Sequence, residues 1–236
     1  MNLKSNLPQT AIVYLSGAGL NPNIWDNVRA KAEVPSVALT YNRDKATTLN
    51  DAVQDALTQT QKLNATRYAI VAHSLGGVVG VELSRKLGGK MAGFVAVSAT
   101  IPAPGESFAS TLPFPQSVIM PIVLKIAGTK PPAAAIRKGL CNDLNDEQTA
   151  GIVGAFTPEP IDLYVGKTSA SPLPPSKYLY VRTIDDKQTL PSQQARMAKQ
   201  LPAVQVVDIA SGHLAMISHP DELAAIINDF VAGFRH

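Results

Sequence analysis

Short apolar runs recur along the chain, and each ends in a small or polar turn. Residues 11–15 are apolar throughout and stop at Ser16-Gly17-Ala18-Gly19. A run without polar alternation reads as a strand buried on both faces. Residues 36–40, 68–72, 94–97, 178–183 and 204–209 read as further strands. Between them the period changes to that of helices. Residues 48–63 put Leu49, Val53, Ala56, Leu57 and Leu63 on one face, with Thr48 and Asp51 at capping-box spacing. Residues 75–87 read as a helix that Gly88-Gly89 stops. Shorter helices are expected at 23–32 and 192–200, and a last one at 220–234 buries Leu223, Ile226, Ile227, Phe230 and Phe234. Strands alternating with helices build βαβ units, hence a mostly parallel sheet with helices on both faces.

The alternation lapses in the middle of the chain. Twelve of the 18 prolines lie from Pro102 to Pro175, with helical patterns only near 118–126 and 143–156. The apolar residues of this stretch argue against a disordered linker. It reads as an insertion lying over the sheet. Phe108, Phe114, Ile119 and Phe156 would give that insertion an apolar lining suited to hydrophobic substrates.

Composition narrows the function classes. A chain of 236 residues fits one domain. There are 21 basic and 18 acidic residues, a net charge of +3, and the bases are scattered without interleaved aromatics. That is ordinary surface charge, not a nucleic-acid footprint. Cys141 is the single cysteine, so no intrachain disulfide and no Cys-rich metal site can form. No close group of His and carboxylates offers a metal site. The polar start of the chain lacks a signal-peptide run, and nothing approaches the roughly 18 apolar residues of a membrane span. The expectation is a cytoplasmic protein with no cofactor, no metal and no nucleic-acid or membrane partner.

The sharpest chemical feature is Ala72-His73-Ser74-Leu75-Gly76-Gly77, where a buried strand meets a helix. A tight turn there lifts a serine oxygen clear of the sheet, and the helix N-terminus offers N–H groups to an oxyanion. The bland reading is a structural turn. A serine nucleophile needs a base. Of the four histidines, His73 adjoins Ser74 and should point away from it by strand alternation, as a packing residue. His219 reads as helix-start polarity, and His236 is terminal. His213 follows the last strand in Ala210-Ser211-Gly212-His213, at the sheet end where ligands collect. Asp185 and Asp186 follow the strand 178–183 and could orient the base, with Asp208 as a competitor that reads as a solvated or paired carboxylate. The order Ser, Asp, His then matches this architecture. The loop Ser16-Gly17-Ala18-Gly19 lacks the third glycine of a dinucleotide fingerprint. It suits a second oxyanion donor instead, the Ala18 N–H beside that of Leu75.

Taken together these segments resemble the α/β-hydrolase superfamily, and within it the branch of plant methylesterases, hydroxynitrile lyases and their bacterial relatives. The likeness spans nearly the whole chain. It is strongest at Leu15-Ser16-Gly17-Ala18, at the Ser74 turn, at Val181-Arg182-Thr183-Ile184-Asp185-Asp186-Lys187 and at Gly212-His213-Leu214-Ala215-Met216. Leu140-Cys141-Asn142-Asp143-Leu144 resembles the branch's cap. The resemblance assigns the acid to Asp186 and the oxyanion donors to Ala18 and Leu75. Ser16 stands where a His is usual and Ala72 where a Gly is usual. The resemblance also implies that lyases carry Thr at the position of Gly17 and Lys at that of Leu214.

The expectation is one α/β-hydrolase domain over residues 1–236, with a six-stranded sheet and a small cap at about 101–176. No antiparallel strands are expected before the first strand, which only about ten residues precede. Its activity would be carboxylic ester hydrolysis through an acyl-enzyme on Ser74, with His213 as base and Asp186 as its orienter. The alternatives are a hydroxynitrile lyase-like cleavage and a non-catalytic receptor that uses the same pocket.

Overall fold

In the structure, a computed structural model describing residues 9–234, six strands form one parallel sheet. They are β1 (Thr10–Leu15), β2 (Ser36–Ala38), β3 (Arg67–His73), β4 (Met91–Val97), β5 (Lys177–Thr183) and β6 (Gln205–Ile209). Their spatial order is β2-β1-β3-β4-β5-β6, and every neighbouring pair is parallel. The sheet is thus wholly parallel among the described residues, not merely mostly so. The first eight residues, where the expected lack of antiparallel strands would be judged, lie outside the described part.

Alternation along the strands divides the core into two layers. Ala11, Val13 and Leu15 of β1 pack with Ile70, Ala72, Phe94 and Tyr180 beneath the helices Leu49–Lys62, Gly76–Leu87 and Pro191–Ala198. Ile12 and Tyr14 face the other way, with Val71, Val95, Val181, Trp25 and the helix Pro220–Ala232. Both faces of the sheet are covered over β1, β3 and β4, so these strands carry continuous apolar runs, while the edge strand β6 is largely exposed.

Local signals set most of the helix ends. Thr48 accepts from the Asp51 N–H at 3.2 Å, while Asp51 accepts from the Thr48 N–H at 2.9 Å, closing a capping box. Gly88, at φ +52°, ends the helix Gly76–Leu87. The expected helix at 23–32 is instead a 3₁₀ turn, Pro22–Trp25, followed by a single α turn, Asp26–Arg29. Trp25 drops into the core there against Tyr14, with ring centroids 5.0 Å apart.

The stretch between β4 and β5 carries the expected helices as Gln116–Ala127 and Asp146–Ala155. It also holds Ala133–Gly139 and the short Asp162–Val165, which the sequence pattern does not announce. Three alanines and the preceding Pro131-Pro132 hide the first of these, since its only buried anchor is Ile136.

Candidate active site

The turn after β3 is the most constrained point of the site. Ser74 lies at φ +51°, a conformation that costs a non-glycine residue about 1–3 kcal/mol. Backbone hydrogen bonds hold it there. Its N–H donates to the Val97 carbonyl at 3.4 Å, and its carbonyl accepts from Gly77 at 3.0 Å and Thr100 at 2.9 Å. Gly76 lets the following helix approach β1, because a Cβ at that position would stand 2.6 Å from the Ser16 carbonyl oxygen. A Cβ on Gly77 would collide with the Thr100 carbonyl.

His213 and Asp186 meet at the neighbouring strand ends. Their Nδ1 and Oδ2 atoms are 2.7 Å apart, with both side chains fully buried. Asp186 Oδ2 also accepts from Ser98 Oγ at 2.6 Å, Thr183 Oγ1 at 2.9 Å and Gln194 Nε2 at 3.3 Å. Its Oδ1 accepts from the N–H groups of Gln188 at 2.7 Å and Thr189 at 2.8 Å. Burial alone would favour the neutral acid. The charge and hydrogen bond of His213, with those of Ser98 and Thr189, outweigh burial and hold the carboxyl well below the usual carboxylate range. An ionised carboxylate only accepts, so Nδ1 carries the imidazole proton. In the neutral ring Nε2 is then the free base, and no described residue, Ser74 included, hydrogen-bonds to it.

His73 does more than pack. Its ring lies 4.6 Å from that of His213, and its Nε2–H donates to the His213 carbonyl at 3.0 Å. Burial, and then the neighbouring His213, push its pKa well below the ordinary imidazole value, so it stays neutral. A Cβ on Gly17 would stand 2.8 Å from both His73 Nδ1 and Ser74 Cβ.

The remaining candidates sort cleanly. Asp185 is exposed and uses its backbone, donating to the Ser211 carbonyl and accepting from Asn142 Nδ2. Asp208 forms a two-pronged pair with Arg182, both contacts at 2.7 Å, as the paired-carboxylate reading expects. His219 begins the last helix without a side-chain cap; its Nδ1 meets Ser218 Oγ at 2.9 Å. His236 lies outside the described residues.

Three features escaped the sequence reading. Ser98, at φ +43°, is one; its only sequence signal is its position directly after β4. The tie that Asn142 and Asp143 make between the loops after β5 and β6 is another: Asn142 reaches the Asp185 carbonyl, and Asp143 Oδ2 accepts from the Gly212 N–H at 2.6 Å. Glu159 is the third. It is buried, accepts from the Gly19 N–H at 2.8 Å and pairs with Arg43 at 3.3 Å, while Arg43 donates to the Leu20 carbonyl at 2.7 Å. This pair clamps the loop that holds Ala18. Burial raises the Glu159 pKa, against the pull of Arg43 and the Gly19 N–H.

Ser74, Ala18 and Leu75 line one apolar cavity of about 330 Å³. Phe108, Met120, Leu124 and Phe156 close it from the β4–β5 stretch. The size is within the range of small-molecule pockets. Phe114 and Ile119, expected in this lining, face solvent instead. Among the described residues, no group of three His, Cys, Asp or Glu side chains converges as a metal site.

The profile of the alpha/beta hydrolase family matches residues 12–226, most of the chain. The chain belongs to this family. The sheet and its surrounding helices are this hydrolase family's architecture, and its solved relatives superpose over nearly the full length. An extracellular alpha/beta-hydrolase from a Paenibacillus species, described as sharing structural and functional homology with tobacco salicylic acid binding protein 2, matches with a TM-score of 0.84. It is 15% identical, over 96% of this chain and 100% of that one. Polyneuridine aldehyde esterase matches with a TM-score of 0.74 at 16% identity, over 94% and 98% of the two chains. A pyrethroid hydrolase from Sphingobium faniae matches with a TM-score of 0.69 at 20% identity, over 94% and 97%. At these identities the likeness is one of fold. No curated protein sequence matches the hydrolase.

Proposed function

We propose that this hydrolase cleaves small to medium hydrophobic carboxylic esters through an acyl-enzyme. Ser74 Oγ attacks the ester carbonyl, and His213 Nε2 takes its proton. The N–H groups of Ala18 and Leu75 receive the oxyanion. The tetrahedral intermediate collapses, and His213 returns the proton to the leaving alcohol. Water, activated by the same imidazole, then releases the acid. Asp186 keeps the proton on Nδ1 and balances the imidazolium. The β4–β5 stretch acts as a cap that encloses the acyl and alcohol groups.

One observation carries this reading. A strained serine at the mouth of an apolar cavity shares its sheet end with a buried His–carboxylate pair whose Nε2 is free. The missing Ser74–His213 hydrogen bond does not count against it, since such bonds often tighten only with substrate. The ester-hydrolase names of the structural relatives agree in class.

Gly17 and Leu214 favour acyl transfer over cyanohydrin cleavage. Gly17 has no room for the threonine side chain of a lyase. Leu214 is fully buried and carries no charge to hold a departing cyanide.

The test is a phosphonate that labels activated serines, followed by mass spectrometry and by turnover of short-chain aryl esters. Labelling at Ser74 with ester turnover is expected, and both vanish in Ser74→Ala. An unlabelled, folded protein that still binds ester analogues would make it a receptor. Cyanide release from mandelonitrile without ester turnover would make it a lyase.

A further inference from the structure

The helix Gln116–Ala127 turns a continuous apolar stripe to solvent. Phe114 just before it is 84% exposed and Ile126 is 82% exposed, with Val118, Ile119, Ile122 and Val123 exposed between them. Their spacing puts them on one side of the helix, while Met120 and Leu124 point the other way into the cavity. No residue of this helix is fully buried. An exposed apolar patch of this kind marks an interaction surface.

Charge says what covers it. From Ser107 to Asn142 the sequence has no Asp or Glu, but it has Lys125, Lys130, Arg137 and Lys138. Lys125 lies at the edge of the stripe. Around the helix C-terminus, Lys125 and Lys130 share a cavity wall with Arg43 and Lys45. The carboxylate in that wall, Glu159, is buried and taken by Arg43 and the Gly19 N–H. A two-fold contact between copies brings the same patch against itself. It would set these cations against each other with no carboxylate from the segment to answer them. A surface with an apolar interior and anionic head groups satisfies both features at once.

We propose that this face docks on an anionic lipid surface. The apolar stripe enters the headgroup–acyl boundary, and Lys125 and Lys130 meet the lipid phosphates. The cavity, walled by the other side of the same helix, then lies directly behind the bound surface. The proposal does not depend on the esterase chemistry, because binding is read without turnover.

The test is co-sedimentation of the full chain with vesicles of phosphatidylcholine alone and of phosphatidylcholine mixed equally with phosphatidylglycerol. Binding to the anionic vesicles, weakened by 0.5 M salt, is expected. Ile122→Asp and Ile126→Asp, and separately Phe114→Ser, should each lower the partition by tenfold or more, with melting temperature unchanged. All three side chains are exposed, so the fold does not need them. Lys125→Glu with Lys130→Glu should remove the preference for anionic vesicles, each cation being worth about fivefold. Equal partition into both vesicle types, no partition at all, or a dimer in sedimentation equilibrium that Ile126→Asp dissociates would each overturn the proposal.

Discussion

The loops after β3 and β5 and the helix Gln116–Ala127 line one cavity, yet different forces hold them. In the loops, polar groups are buried and tied down. Asp186 is hydrogen-bonded through both oxygens, and the Ser74 backbone is bonded on both sides of its peptide. The helix rests on partly buried Met120 and Leu124, with Pro121 inside it. Hydrogen bonds in a dry interior are directional and costly to leave unmade, so they fix atoms. A few apolar contacts are non-directional and fix only a distance. Under the proposed ester hydrolysis the contrast would be a division of labour: reacting groups need fixed positions, and a wall that receives varied acyl groups does not.

The comparison breaks most visibly at the loops. Ser74→Ala or His213→Gln should lower kcat by about four to six orders of magnitude with the fold intact. Turnover within tenfold of wild type would remove these residues from the chemistry. Asp186→Asn should cost about 10⁴-fold in kcat, and Asp185→Asn less than about threefold. A reversed order in steady-state kinetics would move the acid to the exposed neighbour.

Effects one step away from the reacting atoms should be smaller. Glu159→Gln keeps an acceptor for the Gly19 N–H but loses the charge that pairs with Arg43. It should lower kcat by about ten- to a hundredfold with little change in KM, a fraction of the loss of a whole oxyanion donor. Equal effects on kcat and KM would instead point to a general loosening of the pocket. Met120→Ala and Leu124→Ala on the opposite wall should reorder kcat/KM across an ester series by about tenfold, as expected of a cavity-lining methylene. Their melting temperatures should move little. An unchanged ranking would detach this helix from specificity.

The smallest expected effect is on stability against pH. His73 is neutral when folded, its pKa pushed well below the ordinary value by burial and by His213. The unfolded chain protonates it near pH 6.5. Protons therefore favour the unfolded state below that pH. The contribution is fully present above about pH 6.5 and is lost as pH falls towards the folded pKa, by at most about 1.4 kcal/mol per pH unit. Denaturant melts of wild type and His73→Gln from pH 5 to 8 should converge at the acid end. Parallel curves would show that the buried imidazole does not carry this linkage.

What the sequence by itself determined is what short-range patterns encode. Continuous apolar runs require burial on both sides, so β1, β3 and β4 and their covering helices were legible without any contact map. The same holds for the Ser74 turn, whose flanking glycines only make sense where a helix crowds a strand, and for His213, which follows the last strand. The tertiary structure decided what connects distant segments. It put Asp186, not its neighbour, against His213; local spacing cannot say which of two adjacent carboxylates turns inward. It brought Ser98 to the same carboxylate across 88 positions and Glu159 to Gly19 across 140. It also turned Phe114 and Ile119 outward, where their apolar character alone had predicted a lining. Hydrogen bonds of this reach leave no period in the sequence, because their geometry is fixed only once the sheet has brought its strand ends together.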